Sequence, residues 1–157
     1  MGRLYAVCFA NVAVTAAQDL LYIAPADDKP CIIHEIRLSQ STEIKDAEEE
    51  QLRLKLVRGH STVGSDGSAV TPTPLNPSDA AASFTARRND TTIASSGTAV
   101  DLLADTMNVR SGWLWLPTPE CRPVVSQGAG VTIVLRLMAN PADSVTMGGT
   151  MIVEEIG

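Results

Sequence analysis

The sequence is short of aromatic residues and of the side chains that most catalytic and metal centres use. It has 157 residues, with two Trp, two Tyr and two Phe, two His and three Cys. Two His exclude a three-His metal centre, and a two-His centre needs carboxylates as well. Cys8, Cys31 and Cys121 are odd in number and have no CxxC spacing, which suits thiols used as small apolar groups in a reducing compartment. Positive charge is also scarce: 12 Lys and Arg face 18 Asp and Glu, giving a net charge of -6. Phosphate binding needs a basic field, so direct nucleic-acid binding is not expected. No stretch approaches the roughly 18 consecutive apolar residues of a membrane span, so no membrane partner is expected. The apolar stretch after Arg3 is short and broken by Asn11, unlike a signal peptide, and Met1-Gly2 lacks the Ser or Thr of a myristoylation signal.

Known catalytic patterns are missing too. There is no GxSxG elbow, and Gly64-Ser65-Asp66-Gly67 and Gly128-Ala129-Gly130 match no phosphate loop and read as turns. The acidic run from Glu43 to Glu50 lacks the alternating ligands and central Gly of a calcium loop. Asn89-Asp90-Thr91 is a formal glycosylation sequon. The expectation is a protein that is not an enzyme and carries no cofactor or metal.

What the chain has in quantity is β-branched side chains. It contains 14 Val, 14 Thr and 9 Ile, a composition that favours strands. Alternation of apolar and polar residues supports this. It places Ile32, Ile36 and Leu38 on one face with Glu35 and Arg37 opposite, and it sets Leu52, Leu54 and Leu56 against Arg53 and Lys55. The odd positions from Val131 to Leu137 are apolar, and Val145 to Ile156 alternates through Met147, Met151 and Val153. Weaker strands are expected at residues 4–15, 20–24, 82–87, 99–103 and 109–116. Short helices are possible at Glu43 to Gln51 and at Pro77 to Ser83. Gly- and Pro-rich turns separate the strands, so the expected fold is all-β: one antiparallel β-sandwich or jelly roll of about eight strands with long loops, spanning 1–157.

Two segments read as extensions. Residues 1–17 form an N-terminal strand or arm. Residues 59–79 form a long loop in which 16 of 21 residues are Gly, Ser, Thr, Pro, Asn or Asp. Pro72 and Pro74 favour an extended arm lying on a neighbour. The candidate subunit or capsid interface is therefore Tyr5, Val7 and Phe9 on the N-terminal arm, Arg53, Lys55 and Arg58 on a basic strand face beside the acidic run, Pro72 and Pro74 in the loop, and Trp113 and Trp115. The two Trp share one face of a strand whose other face carries Leu114 and Leu116. A strand apolar on both sides is either central or covered by a partner. His34 reads as a satisfied residue on the core-facing phase.

Together, the early strand, the segment Leu21-Tyr22-Ile23-Ala24-Pro25-Ala26 feeding Ile32 to Ser41, the Ser/Thr/Pro loop and the terminal strand Ile152 to Gly157 resemble the small jelly-roll decoration, or cement, proteins of tailed bacteriophages. The resemblance covers most of the chain as a general pattern and rests on no short motif. It implies a structural virion protein made in the host cytoplasm and placed on the outer capsid surface. It also implies a homotrimer that binds the assembled major capsid protein. The alternative is a carbohydrate- or ligand-binding β-sandwich, a virion host-attachment protein included; a cupin-like enzyme would need more His.

Overall fold

The computed structural model describes residues 2–42, 49–126 and 131–157. Among these, twelve strands form two antiparallel sheets packed face to face, a β-sandwich. The strands are β1 (Arg3–Val14), β2 (Gln18–Ala24), β3 (Cys31–Gln40), β4 (Gln51–Arg58), β5 (Ser68–Val70), β6 (Thr73–Pro74), β7 (Thr85–Asp90), β8 (Val100–Asn108), β9 (Trp113–Trp115), β10 (Val124–Val125), β11 (Ile133–Leu137) and β12 (Val145–Glu155). The first sheet runs β10–β3–β12–β1–β6, with β9 also paired to β3; the second runs β5–β7–β2–β11–β4–β8.

The pairings are nested. β1 lies against β12, β2 against β11, β3 against β9 and β10, and β4 against β8. This is a long hairpin rolled across two sheets, the winding of a jelly roll. The strand count exceeds the eight or so expected because β5, β6 and β10, each of two or three residues, were not among the expected strands. β5 and β6 are too short to show an alternating pattern. The helix expected at Pro77 to Ser83 is instead a turn, in which Asn76 Oδ1 accepts the Ser78 N–H at 3.1 Å. The helix expected at Glu43 to Gln51 lies mostly outside the described residues, and Gln51 opens β4.

The core is built from the inward rows of both sheets. Tyr5, Val7 and Val14 of β1, Leu54 and Leu56 of β4, Ile133, Leu135 and Leu137 of β11, and Val145, Met147, Met151 and Val153 of β12 are all at most 2% exposed. Tyr5 meets Phe84 edge-to-face with ring centroids 5.6 Å apart. Gly149 occupies the same inward row, where a Cβ would come within 2.6 Å of the Phe9 ring and 2.8 Å of Leu38. Its lack of a side chain is what lets those two residues pack there.

Among the described strands four pairings shift register, and the two shifts in the first sheet reset its alternation. In β1 the register with β12 shifts between Phe9 and Val12, at Asn11 with φ 53°, so the buried positions change from odd to even. In β3, Ile152 pairs with Glu35 while Val153 pairs with Ile33, leaving His34 as the extra residue. The inward row is therefore Ile33, Ile36 and Leu38, and Ile32 faces out, which corrects the face read from simple alternation.

The long segment after β4 is a strap on its own domain and not a free arm. It pairs with β7 through β5, crosses the sandwich edge, and pairs with β1 through β6. Tyr5 Oη donates to the Ala80 carbonyl at 3.0 Å, and the Ser83 and Phe84 N–H groups donate to the buried Glu155 carboxylate at 2.8 and 3.1 Å. The segments around 62–65 and 92–95 bridge each other (Thr62 to Ser95, Ser65 to Thr92). Ala94 from this cover packs with Tyr22, Val57 and Val134 in a second apolar cluster.

Cys31 is fully buried on β3, and burial, with a smaller contribution from the Glu155 carboxylate, pushes its thiol up from 9.0 to about 12. Burial also raises Tyr5 and Tyr22. The unfolded chain therefore loses these protons first as pH rises, so stability is full below pH 9 and falls between 9 and about 12. Chemical denaturation at a series of alkaline pH values is expected to show this decline, with a shallower slope in Cys31→Ala.

Candidate interaction surface

The structure divides the expected interface residues into three groups. Tyr5, Val7 and Phe9 are core residues, 0%, 0% and 3% exposed. β1 lies between β12 and β6, so it is an interior strand of the first sheet and not an arm. Every second side chain of that strand is needed to fill the sandwich. Pro72 and Pro74 are half-buried, and Pro74 pairs with Tyr5 in register, so both belong to the intramolecular strap.

The basic strand face is also revised. Arg53 is exposed and Lys55 donates to Asp101 of β8 at 2.7 Å. Arg58 pairs with Ile133 in the inward row that continues from Leu56, so it does not share a face with Arg53 and Lys55. The proposed partner of this face, the acidic run, lies outside the described residues from 43 to 48. Of its remaining members, Glu50 accepts the Ala142 N–H at 2.7 Å and Glu49 lies 3.9 Å from Arg110. The cation at Lys55 is thus matched by its neighbouring strand, and such a surface pair contributes about 0–1 kcal/mol.

Trp113 and Trp115 face the core from β9, half-buried, and close the edge of the sandwich. Trp113 Nε1 donates to Asp105 Oδ2 of β8 at 2.9 Å, which ties the rims of the two sheets together. Neither ring is laid open as a platform for stacking. The residues between and after them behave in the opposite way. Leu114 is 59% exposed and Leu116 is 63% exposed, the highest values among the large apolar residues of the described chain. Val124 of β10, on the same edge of the first sheet, is 43% exposed. Sequence reasoning recognised that both faces of this strand are apolar but chose the Trp face as the contact. Large aromatic residues gain more from burial than Leu does, so in an edge strand with one inward face the Trp pair takes it.

Around this edge the outer face of the first sheet is mixed. Leu114 sits opposite Arg37, which pairs with Glu35. His34 Nε2 lies 2.7 Å from Glu154, whose other oxygen accepts the Gly2 N–H at 3.1 Å. His34 is therefore satisfied, though on the outer side and not the core-facing phase. Apolar residues interleaved with a few charges are the usual make-up of a protein contact surface. Among the described residues no group of three or more His, Cys, Asp or Glu is arranged to hold a metal ion.

No protein-family model matches the chain, and neither the curated proteins nor the solved structures contain a significant match.

Proposed function

We propose that this protein is a structural component of a virion, a decoration protein that binds assembled major capsid protein as a homotrimer, and that the β9–β10 edge is its main contact. The observation that carries this reading is the exposure of Leu114 and Leu116 on an edge strand whose Trp side chains are already used inward. Apolar side chains left out this way gain about 1.5–3 kcal/mol each when covered. Trimeric display multiplies a modest contact of this size into strong avidity. A ligand that binds only the assembled shell adds its binding free energy to the shell's stability. The jelly-roll winding and the resemblance in the sequence point the same way. The carbohydrate-binding alternative relied on the Trp pair as a stacking surface, and the inward packing of both rings argues against that version.

The test is a Leu114→Lys/Leu116→Lys variant, compared with the parent chain for mass in solution and for binding to assembled, undecorated tailed-phage capsids. Both positions are exposed, so the variant is expected to keep its unfolding free energy within about 0.5 kcal/mol. Its capsid affinity should fall by about a hundredfold or more, the equivalent of two lost Leu contacts. A parent chain that is monomeric and binds no capsid would overturn the proposal.

A further inference from the structure

The outer face of the first sheet departs from the pattern of a sheet that meets water. On β4 the outward row is Gln51, Arg53 and Lys55, the usual make-up of a solvated face. On β1 the outward row is Leu4, Ala6, Cys8 and Ala10, with no charged or amide side chain among them. Beside it, β12 turns Gly148, Thr150 and Ile152 outward. Nothing within the chain requires a glycine at 148. A Cβ there would find its nearest neighbour, the Phe9 carbonyl oxygen, at 3.4 Å, an ordinary contact, and its φ is not positive. Glycine inside a strand costs stability, and it often marks a point where another backbone comes close. With Ala10 and Ser39 it lines a hollow of about 560 Å³ on this face.

The relief of the face is complementary to itself. Ala6, Ile152 and Glu35 form one row across β1, β12 and β3, and Cys8, Thr150 and Arg37 form the next. Ala10, Gly148 and Ser39 form the row after that. A two-fold axis across the strands, through the middle row, sets the Ile152 row of each copy over the Gly148 hollow of the other. Charge permits the approach. Each copy carries a net charge of -6, so copies repel wherever carboxylates are unmatched. Here Glu35 contacts Arg37 and Glu154 contacts His34, so the face brings its own counter-charges. The size is sufficient as well. β1, β12 and β3 at ~4.8 Å apiece, over the eleven residues of β12 at ~3.4 Å each, offer about 500 Å² per copy. The pair buries on the order of 1,000 Å², the size at which a contact is specific.

We propose that the outer face of the first sheet packs against the same face of a second copy about this two-fold axis. The β9–β10 edge lies at the border of the paired face, so the pairing is separate from the capsid contact and from the trimer proposed above.

Light scattering on the full chain is expected to give an even number of copies: two, or six where the trimer also forms. Cys31 is buried, so in Cys121→Ser the one accessible thiol is Cys8, in the middle row. A short bis-maleimide should therefore join two copies through Cys8. Gly148→Arg in that background puts an unmatched cation into the hollow, and should cut the cross-linked yield about tenfold and halve the mass. Ala10→Arg, at an exposed position, serves where Gly148→Arg fails to fold. One or three copies in the parent, no cross-link through Cys8, or an unchanged yield in a folded variant would overturn the pairing. A mass of two copies keeps the pairing and removes the trimer, and a mass of three does the reverse, so the two readings fail separately.

Discussion

Removal of residues 4–17 is expected to leave a chain with no cooperative unfolding transition. β1 contributes Tyr5, Val7, Phe9 and Val14 to the core, each at most 3% exposed. Full burial of such side chains is worth about 1.5–3 kcal/mol apiece, and the sum is comparable to the ~5–15 kcal/mol that holds an ordinary domain together. The deletion also strips β12 of its partner from Leu4 to Val14 and takes away the Tyr5 anchor of the strap. A milder version, Tyr5→Ala, should destabilise by about 3–5 kcal/mol, in line with truncation of buried aromatic residues. Urea denaturation followed by circular dichroism measures both. A truncated chain that melts cooperatively near the parent temperature would show β1 to be dispensable, and would revive its reading as an arm.

The second large effect is expected at Asp19. This carboxylate is 1% exposed on β2, on the outer side of the second sheet beneath the cover formed by residues 62–65 and 92–95. Arg136 Nε donates to it at 2.6 Å and Arg136 Nη2 at 3.2 Å, while the Ala94 N–H donates at 2.7 Å. Arg136 Nη2 also donates to the Ala94 carbonyl at 3.0 Å, so cation, anion and cover form one closed network. Asp19→Ala leaves a largely buried guanidinium and a buried N–H without their acceptor. The expected loss is about 3–5 kcal/mol, the range for breaking one side of a buried pair. Asp101→Ala, which breaks only the surface pair with Lys55, should cost less than about 1 kcal/mol. Equal effects of the two substitutions in the same denaturation assay would contradict this account. Replacing both members, as in Asp19→Asn with Arg136→Met, should recover part of the loss, because a neutral pair leaves no stranded charge.

The fold was readable wherever one face of a strand is buried and the other is wet. β4 and β12 illustrate this: their alternating Leu, Met and Val fix both strand type and facing. The reading failed at the bulges, since one extra residue at Asn11 or His34 inverts the phase and nothing in the local composition marks it. It failed again at β5 and β6, whose pairing is decided by neighbouring edges and not by their own side chains. The interface reading erred for a related reason. Tyr5, Val7, Phe9, Trp113 and Trp115 are apolar enough to serve either as core or as contact, and only the three-dimensional competition for the interior decides between them. Leu114 and Leu116 were visible as the other half of that alternation.

The pairing of β1 with β12 has a consequence for how the molecule is made. Arg3 lies beside Glu155, and their ladder continues to Val14 beside Val145. β1 therefore waits for β12, more than a hundred residues later in the chain, before its own sheet can close. Closure of this sheet is tied to the arrival of β12, and dominance by such distant contacts places the fold among slow-folding topologies, on the order of milliseconds to seconds. Until then β1, with its apolar row of Tyr5, Val7 and Phe9, lacks its longest partner. Once closed, the same ladder locks β1 and β12 into one sheet, and fraying of either strand is opposed by the other.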